Sequence, residues 1–109
     1  MKPIHGEVRA LVTRAIPEAD FHAYVTDLLH LGGFLFHHET DSRRSPKGFP
    51  DIVAVKLSRL IWIELKTERG KVRPEQTRWL DALRLTGRCE VYLWRPSDSD
   101  EARRIILGQ

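Results

Sequence analysis

A chain of 109 residues holds one domain and has no room for two separately packed cores. Apolar residues make up 41% and charged residues 30%, a balance that suits a soluble folded protein, and the single cysteine excludes an intrachain disulfide or a cysteine-based zinc cluster. Lys and Arg number 18 against 15 Asp and Glu, and the resulting net charge of +3 does not by itself assign a nucleic-acid partner. No apolar stretch follows Lys2, so neither a signal peptide nor a membrane span is expected, and a cytoplasmic location is.

Residues 1–16 read two ways. Val8, Ala10 and Val12 alternate with charged or larger neighbours, which suits a short strand or an arm that packs on a partner subunit. From Glu18 the spacing of Phe21, Val25, Leu28 and Leu29 predicts a helix, with Pro17 at a first helical position and Gly32-Gly33 as its stop. Phe34 to His38 is a strand candidate, and the polar segment from Glu39 to Gly48 a loop. Ile52–Val55 and Leu60–Leu65 read as a hairpin turning through Lys56 to Arg59. Pro74 opens a helix over 74–86 with Trp79, Leu80 and Leu83 on one side and Gly87 at its end. Cys89 to Trp94 is a further strand, placing Val91 and Leu93 opposite Tyr92 and Trp94, and Asp100 to Leu107 is a closing helix. The order helix, three strands, helix, strand, helix predicts an α/β fold with a mixed sheet covered by helices. The crossover through the 74–86 helix should make the last strand parallel to its neighbour.

The hairpin concentrates the chemistry at one end. Asp51 opens its first strand and Glu64, thirteen residues on, nearly closes its second, so the two carboxylates come to neighbouring places. If period two holds, Trp62, Glu64 and Lys66 share one face and Ile61, Ile63 and Leu65 the other. A central strand is an expensive place for charges without a task. Two carboxylates with a lysine alongside suit Mg²⁺ or Mn²⁺ rather than zinc, the backbone carbonyl of Leu65 completing part of the shell and Lys66 serving the attacking water or a phosphate oxygen. A third acid is wanted, and Glu18, Asp20 and Glu39 are the candidates. Gln76, on the first turn of the 74–86 helix, is within reach of the lysine, the water or DNA.

The basic residues Arg43, Arg44 and Lys47 precede Asp51, and Arg69, Lys71 and Arg73 follow Lys66. They are candidate DNA-phosphate contacts, or else a solvated border. His37 and His38, adjacent on a strand, point to opposite faces and make no dihistidine site; His5, His22 and His30 show no ligand spacing. Trp62 and Trp79 are read as packing residues, and Cys89 as a small buried one.

The run Ser45-Pro46-Lys47-Gly48-Phe49-Pro50-Asp51, then Ile63-Glu64-Leu65-Lys66, then Gly70-Lys71-Val72-Arg73-Pro74-Glu75-Gln76 resembles the VRR-NUC domain, a branch of the PD-(D/E)XK nuclease superfamily. The resemblance extends from about Glu18 to Trp94. It implies a restriction-endonuclease-like fold of order α-β-β-β-α-β-α over a single domain of 1–109. It further implies Asp51 and Glu64 as metal ligands, Lys66 as the catalytic lysine, Gln76 as a site residue and Glu18 as the helix-one acid. The family often carries a small hydroxyl residue where Arg73 stands and a serine or threonine cap where Ile16 stands. Stand-alone members resemble structure-selective, Mg²⁺-dependent endonucleases that cut four-way DNA junctions as homodimers, which here would use the 1–16 arm or an apolar helix face as interface. A flap, duplex-repair or restriction-like nuclease uses the same core, and a non-cleaving DNA-binding module is the alternative outside catalysis.

Overall fold

The computed structural model describes residues 16–41, 43 and 45–108. The strand-or-arm segment 1–16 therefore lies outside the described residues except for Ile16, which packs against the core. Eight elements follow: α1 (Glu18–Leu31), β1 (Leu35–His38), β2 (Ile52–Lys56), β3 (Arg59–Leu65), α2 (Pro74–Leu85), β4 (Glu90–Trp94), a 3₁₀ turn (Pro96–Asp98) and α3 (Ser99–Leu107). The sheet runs β1-β2-β3-β4, antiparallel across the first two pairs and parallel between β3 and β4. The α/β class, the element order and the parallel last strand agree with the sequence reading.

The boundaries move by a residue or so, for local reasons. Pro17 is extended, with ψ of 149°, and lies just outside α1 as its cap, so the helix starts at Glu18. Phe34 is bonded through its N–H to Leu29 O and turns inward as a buried residue before β1 begins. Thr86 caps α2 rather than extending it.

Strand alternation sorts the sheet into two faces. Ile52, Ala54, Ile61, Ile63 and Leu65 are buried with Phe21, Val25, Leu28 and Leu29 of α1 and Ala102 and Ile106 of α3. The α1 positions recur at i, i+4, i+7 and i+8, one helical stripe. Each buried Leu, Ile or Phe contributes about 1.5–3 kcal/mol, so this face carries most of the apolar stabilisation. The opposite face carries Trp62 and Glu64 and is met by α2. Phe49 stands edge-on to both Trp62 and Trp79, at centroid separations of 5.6 and 5.0 Å, fixing the loop before β2 against α2. The tryptophans therefore pack, as their sequence context suggested.

The far end of the sheet is tied by a bidentate Arg59–Glu90 pair, both contacts at 2.7 Å, with Tyr92 donating to the same carboxylate. At the other end Arg95 Nη1 donates to the carbonyls of Thr67, Glu68 and Gly70, gathering the loop that follows β3.

The β2–β3 hairpin closes in two residues, since Lys56 pairs with Arg59. Leu57 takes φ of +53° at the first central position, a place where glycine is favoured and a branched side chain is strained. It is 94% exposed, so nothing it buries offsets that strain. Leu57→Gly is expected to stabilise the protein by about 1 kcal/mol, read as a rise of several degrees in the thermal midpoint.

Candidate active site

The hairpin register builds the site. Ile52 pairs with Ile63, so one further step sets Asp51 opposite Glu64 at the end of the sheet. Asp51 follows buried Pro50 and is pinned at both ends of the residue: its carbonyl accepts from Glu39 N, and its Oδ2 accepts from Leu65 N, each at 2.8 Å. Lys66 is one residue past β3, its N–H bonded to Trp94 O at 2.9 Å, so the parallel neighbour strand fixes where its side chain departs.

Glu64 is the exceptional residue, only 3% exposed and the one buried charged side chain among the described residues. Its Oε2 accepts from Gln76 Nε2 at 2.7 Å. Gln76 Oε1 in turn accepts from Arg73 N at 2.9 Å, which fixes the amide so that its NH₂ faces the carboxylate. The other oxygen, Oε1, is buried with no hydrogen-bond partner. Burial, and secondarily the charge of Asp51, push the Glu64 carboxyl up to about 8, with Lys66 pulling the other way. A buried carboxylate with an open oxygen beside a second carboxylate is a place made for a cation.

The cleft over these groups holds about 450 Å³ and is bordered by Asp51, Glu64, Arg73, Gln76, Glu39 and the 45–49 loop. Gly48 lets that loop approach α2. It has φ of +83°, and a Cβ on it would fall 2.5 Å from the backbone carbon of Glu75. Gly48→Ala is expected to cost about 3 kcal/mol in stability, measured by urea unfolding, because neither the backbone of Glu75 nor the turn can yield cheaply.

The structure thus brings together Asp51, Glu64, Leu65 and Gln76, with Lys66 at the strand end. It does not bring Glu18 into this cleft. Glu18 is 64% exposed on the first turn of α1 and borders a neighbouring cavity, from which the cleft is separated by Glu39 and Thr40. Of the other two candidate acids, Asp20 is exposed on α1 and borders neither space, whereas Glu39 lines both. Ser45 Oγ and Asp41 N donate to the Glu39 carboxylate and hold it below the usual range. Among the described residues no three His, Cys, Asp or Glu side chains converge on one ion.

The basic border is less uniform than its sequence suggests. Arg43 is bridged to Asp41 at 3.1 Å and Lys47 to Glu75 at 3.4 Å. Arg69, Lys71 and Arg73 are exposed, Arg73 alone of the three bordering the cleft, and Arg44 lies outside the described residues. Cys89 is half-buried, donating to Leu83 O, rather than fully enclosed.

One pairing had no signal in the sequence. His22 Nδ1 and His38 Nε2 lie 2.8 Å apart, joining α1 to β1 across sixteen residues of chain. Burial, then His22, hold His38 below the ordinary histidine range, although Asp51 and Glu39 pull it upward. As the alternation predicts, His37 points to the other face and is exposed.

No helix among the described residues is long and apolar enough to cross a membrane. No functionally curated protein matches the chain. A solved structure described as a VRR_NUC domain superposes with a TM-score of 0.62 at 22% identity, over 77% of this chain and 90% of its own. A structure of Archaeoglobus fulgidus Hjc, described as a Holliday junction resolvase from an archaeal hyperthermophile, gives 0.46 at 27% identity, over 68% and 67%. The VRR-NUC domain family model matches residues 20–95, the span that runs from the first turn of α1 through β4 and contains the whole cleft. On that match, and with the same fold in a solved domain of that description, the chain belongs to the VRR-NUC domain family.

Proposed function

We propose that this protein is a divalent-metal-dependent endodeoxyribonuclease that hydrolyses phosphodiesters in branched DNA, four-way junctions foremost, as a homodimer. The observation that carries the reading is the unpartnered, buried Oε1 of Glu64 beside the Asp51 carboxylate at the floor of an open cleft. An all-oxygen donor set fits Mg²⁺, with Mn²⁺ as substitute. Asp51, Glu64 and the carbonyl of Leu65, the residue whose N–H already meets Asp51, would hold the ion. When bound, such an ion supplies a lowered water pKa and charge neutralisation at the phosphate.

The protein's own groups do the remainder. Gln76 fixes the Glu64 carboxylate from one side, leaving its second oxygen for the ion. Lys66 orients the attacking water and faces the charge that develops on the phosphate oxygens. Arg69, Lys71 and Arg73, with Lys47, receive the flanking phosphates and make binding salt-sensitive. Two copies related by a two-fold axis would present two such clefts to a two-fold junction.

The test is cleavage of labelled four-way junction, flap and linear duplex DNA with Mg²⁺, with Mn²⁺ and with chelator. Metal-dependent paired nicks in the junction support the reading. Equal cutting of all three removes the junction preference, and tight salt-sensitive binding without cleavage removes the enzyme.

A further inference from the structure

The His22–His38 pair does not border the cleft that holds Asp51 and Glu64. Its two nitrogens are 2.8 Å apart and its ring centroids 5.0 Å apart, with the planes at 34°. The register sets His38 beside Ile52 on the α1 face, whereas Glu64 is on the α2 face. One nitrogen of the pair must carry a proton and the other a lone pair. The outer nitrogen of His22, Nε2, is buried and has no hydrogen-bond partner. Glu18 Oε1, one helical turn earlier, stands 3.8 Å away, too far for a hydrogen bond and near enough to become one. A polar atom left in that condition calls for an explanation. A cavity of about 550 Å³, bordered by Glu18, His22, Thr26, His38, Glu39 and Thr40, opens beside both rings.

We infer that His22 Nδ1 and His38 Nε2 form a second metal site, chemically distinct from the carboxylate cleft, that takes a transition-metal dication of the Zn²⁺, Co²⁺ or Ni²⁺ class. Imidazole nitrogens select these ions over Mg²⁺. Two nitrogens sharing a tetrahedral ion sit about 3.3 Å apart, only about half an ångström more than the present pair. A modest tilt of both rings toward the cavity meets that requirement. Since no third His, Cys, Asp or Glu among the described residues converges there, water from the cavity completes the shell.

Protons balance without net release. The nitrogen that now carries the shared proton passes it to the outer nitrogen of its own ring, so each imidazole remains neutral. On His22 the N–H is then at Nε2, the atom that lacks a partner, with Glu18 one turn back as acceptor. That is the carboxylate–histidine–metal arrangement, in which the carboxylate fixes ring and tautomer. It gives the exposed Glu18 a task at this site.

The experiment titrates Co²⁺ into the full chain and into a D51N/E64Q variant, following ligand-field absorption and heat. One nitrogen-ligated equivalent is expected in both proteins. H22Q and H38Q should each weaken it by at least about tenfold, and E18Q by about tenfold. Binding that disappears in D51N/E64Q, or that is indifferent to H22Q and H38Q, overturns the inference. The unsubstituted chain gives a second reading if those variants do not fold. On Zn²⁺ titration the ring ¹⁵N resonances of His22 and His38 should move while those of His30 and His37 stay, and the reverse pattern overturns the site. Neither readout uses cleavage, so it stands or falls apart from the nuclease reading.

Discussion

Lys66→Ala is expected to lower Mg²⁺-dependent DNA cleavage by about 10³-fold while leaving the thermal midpoint almost unchanged. Both halves follow from the position of the residue. Its backbone is fixed by the bond from Lys66 N to Trp94 O, so truncating the side chain does not release the strand end. The side chain itself is half-exposed and outside the apolar core, so little packing is lost. On the proposed function, what is lost is a positive charge beside the attacking water and the phosphate, an interaction that matters most in the transition state. DNA affinity should change far less, with the slope of log affinity against log salt falling by about one contact. Lys66→Arg should restore the rate only in part, because a broad planar guanidinium cannot place its charge where the compact ammonium stands. Single-turnover cleavage alongside equilibrium binding separates these terms. A variant that cleaves at the original rate would remove Lys66 from the site, and one that loses binding in proportion would make it a phosphate anchor only.

Glu64→Gln should have opposite effects on activity and stability. In chelator the variant should be more stable than the original chain at pH 8 to 9, on the order of 3 kcal/mol, and no more stable near pH 4.5. The sign follows from the direction of the shift. Burial and the Asp51 charge raise the Glu64 carboxyl from an ordinary 4.5 to about 8 in the folded state. Below 4.5 the group is protonated in folded and unfolded chains alike, and it costs nothing. Between 4.5 and about 8 the unfolded chain loses the proton that the folded chain retains, so stability falls as pH rises. Above about 8 the cost is constant. Glutamine keeps an acceptor for Gln76 and carries no charge, so the penalty vanishes. Saturating Mg²⁺ should stabilise the original chain and narrow the gap, because ion binding offsets the buried charge. Thermal unfolding of both proteins across pH, with and without Mg²⁺, reads all of this. A variant less stable than the original at every pH would mean that Glu64 is not strained in the ion-free protein.

These expectations place the stability–activity conflict at one residue. Phe21, Val25 and Ile63 belong to the buried apolar core and can be optimised for packing. Glu64 is held on the central strand, between β2 and β4, where burial and the Asp51 charge penalise its ionised form. The residues around it stiffen that arrangement from three directions: Gln76 from α2, Asp51 from β2, and Arg95 through the loop after Lys66.

Much of this was legible in the sequence because it depends on local periodicity. A period of two assigned Trp62 and Glu64 to one face and Ile61 and Ile63 to the other. A period near 3.6 assigned Phe21, Val25 and Leu29 to one side of α1. A tight hairpin between two apolar runs then sufficed to set Asp51 across from Glu64, since Ile52 and Ile63 must pair. The parallel β4 followed from the length of the α2 crossover. Tertiary packing decided the rest. That Glu64 loses all but 3% of its exposure, that Gln76 binds one of its oxygens and that the other is left open depend on how α2 lies on the sheet. The separation of Glu18 from the cleft depends on the opposite face, where α1 packs. The His22–His38 contact joins a helix and a strand with no common spacing, so no pattern along the chain could announce it. Periodicity fixes which way a side chain faces within its own element, whereas contact between elements depends on the angle and depth at which their apolar faces pack, which the core as a whole sets.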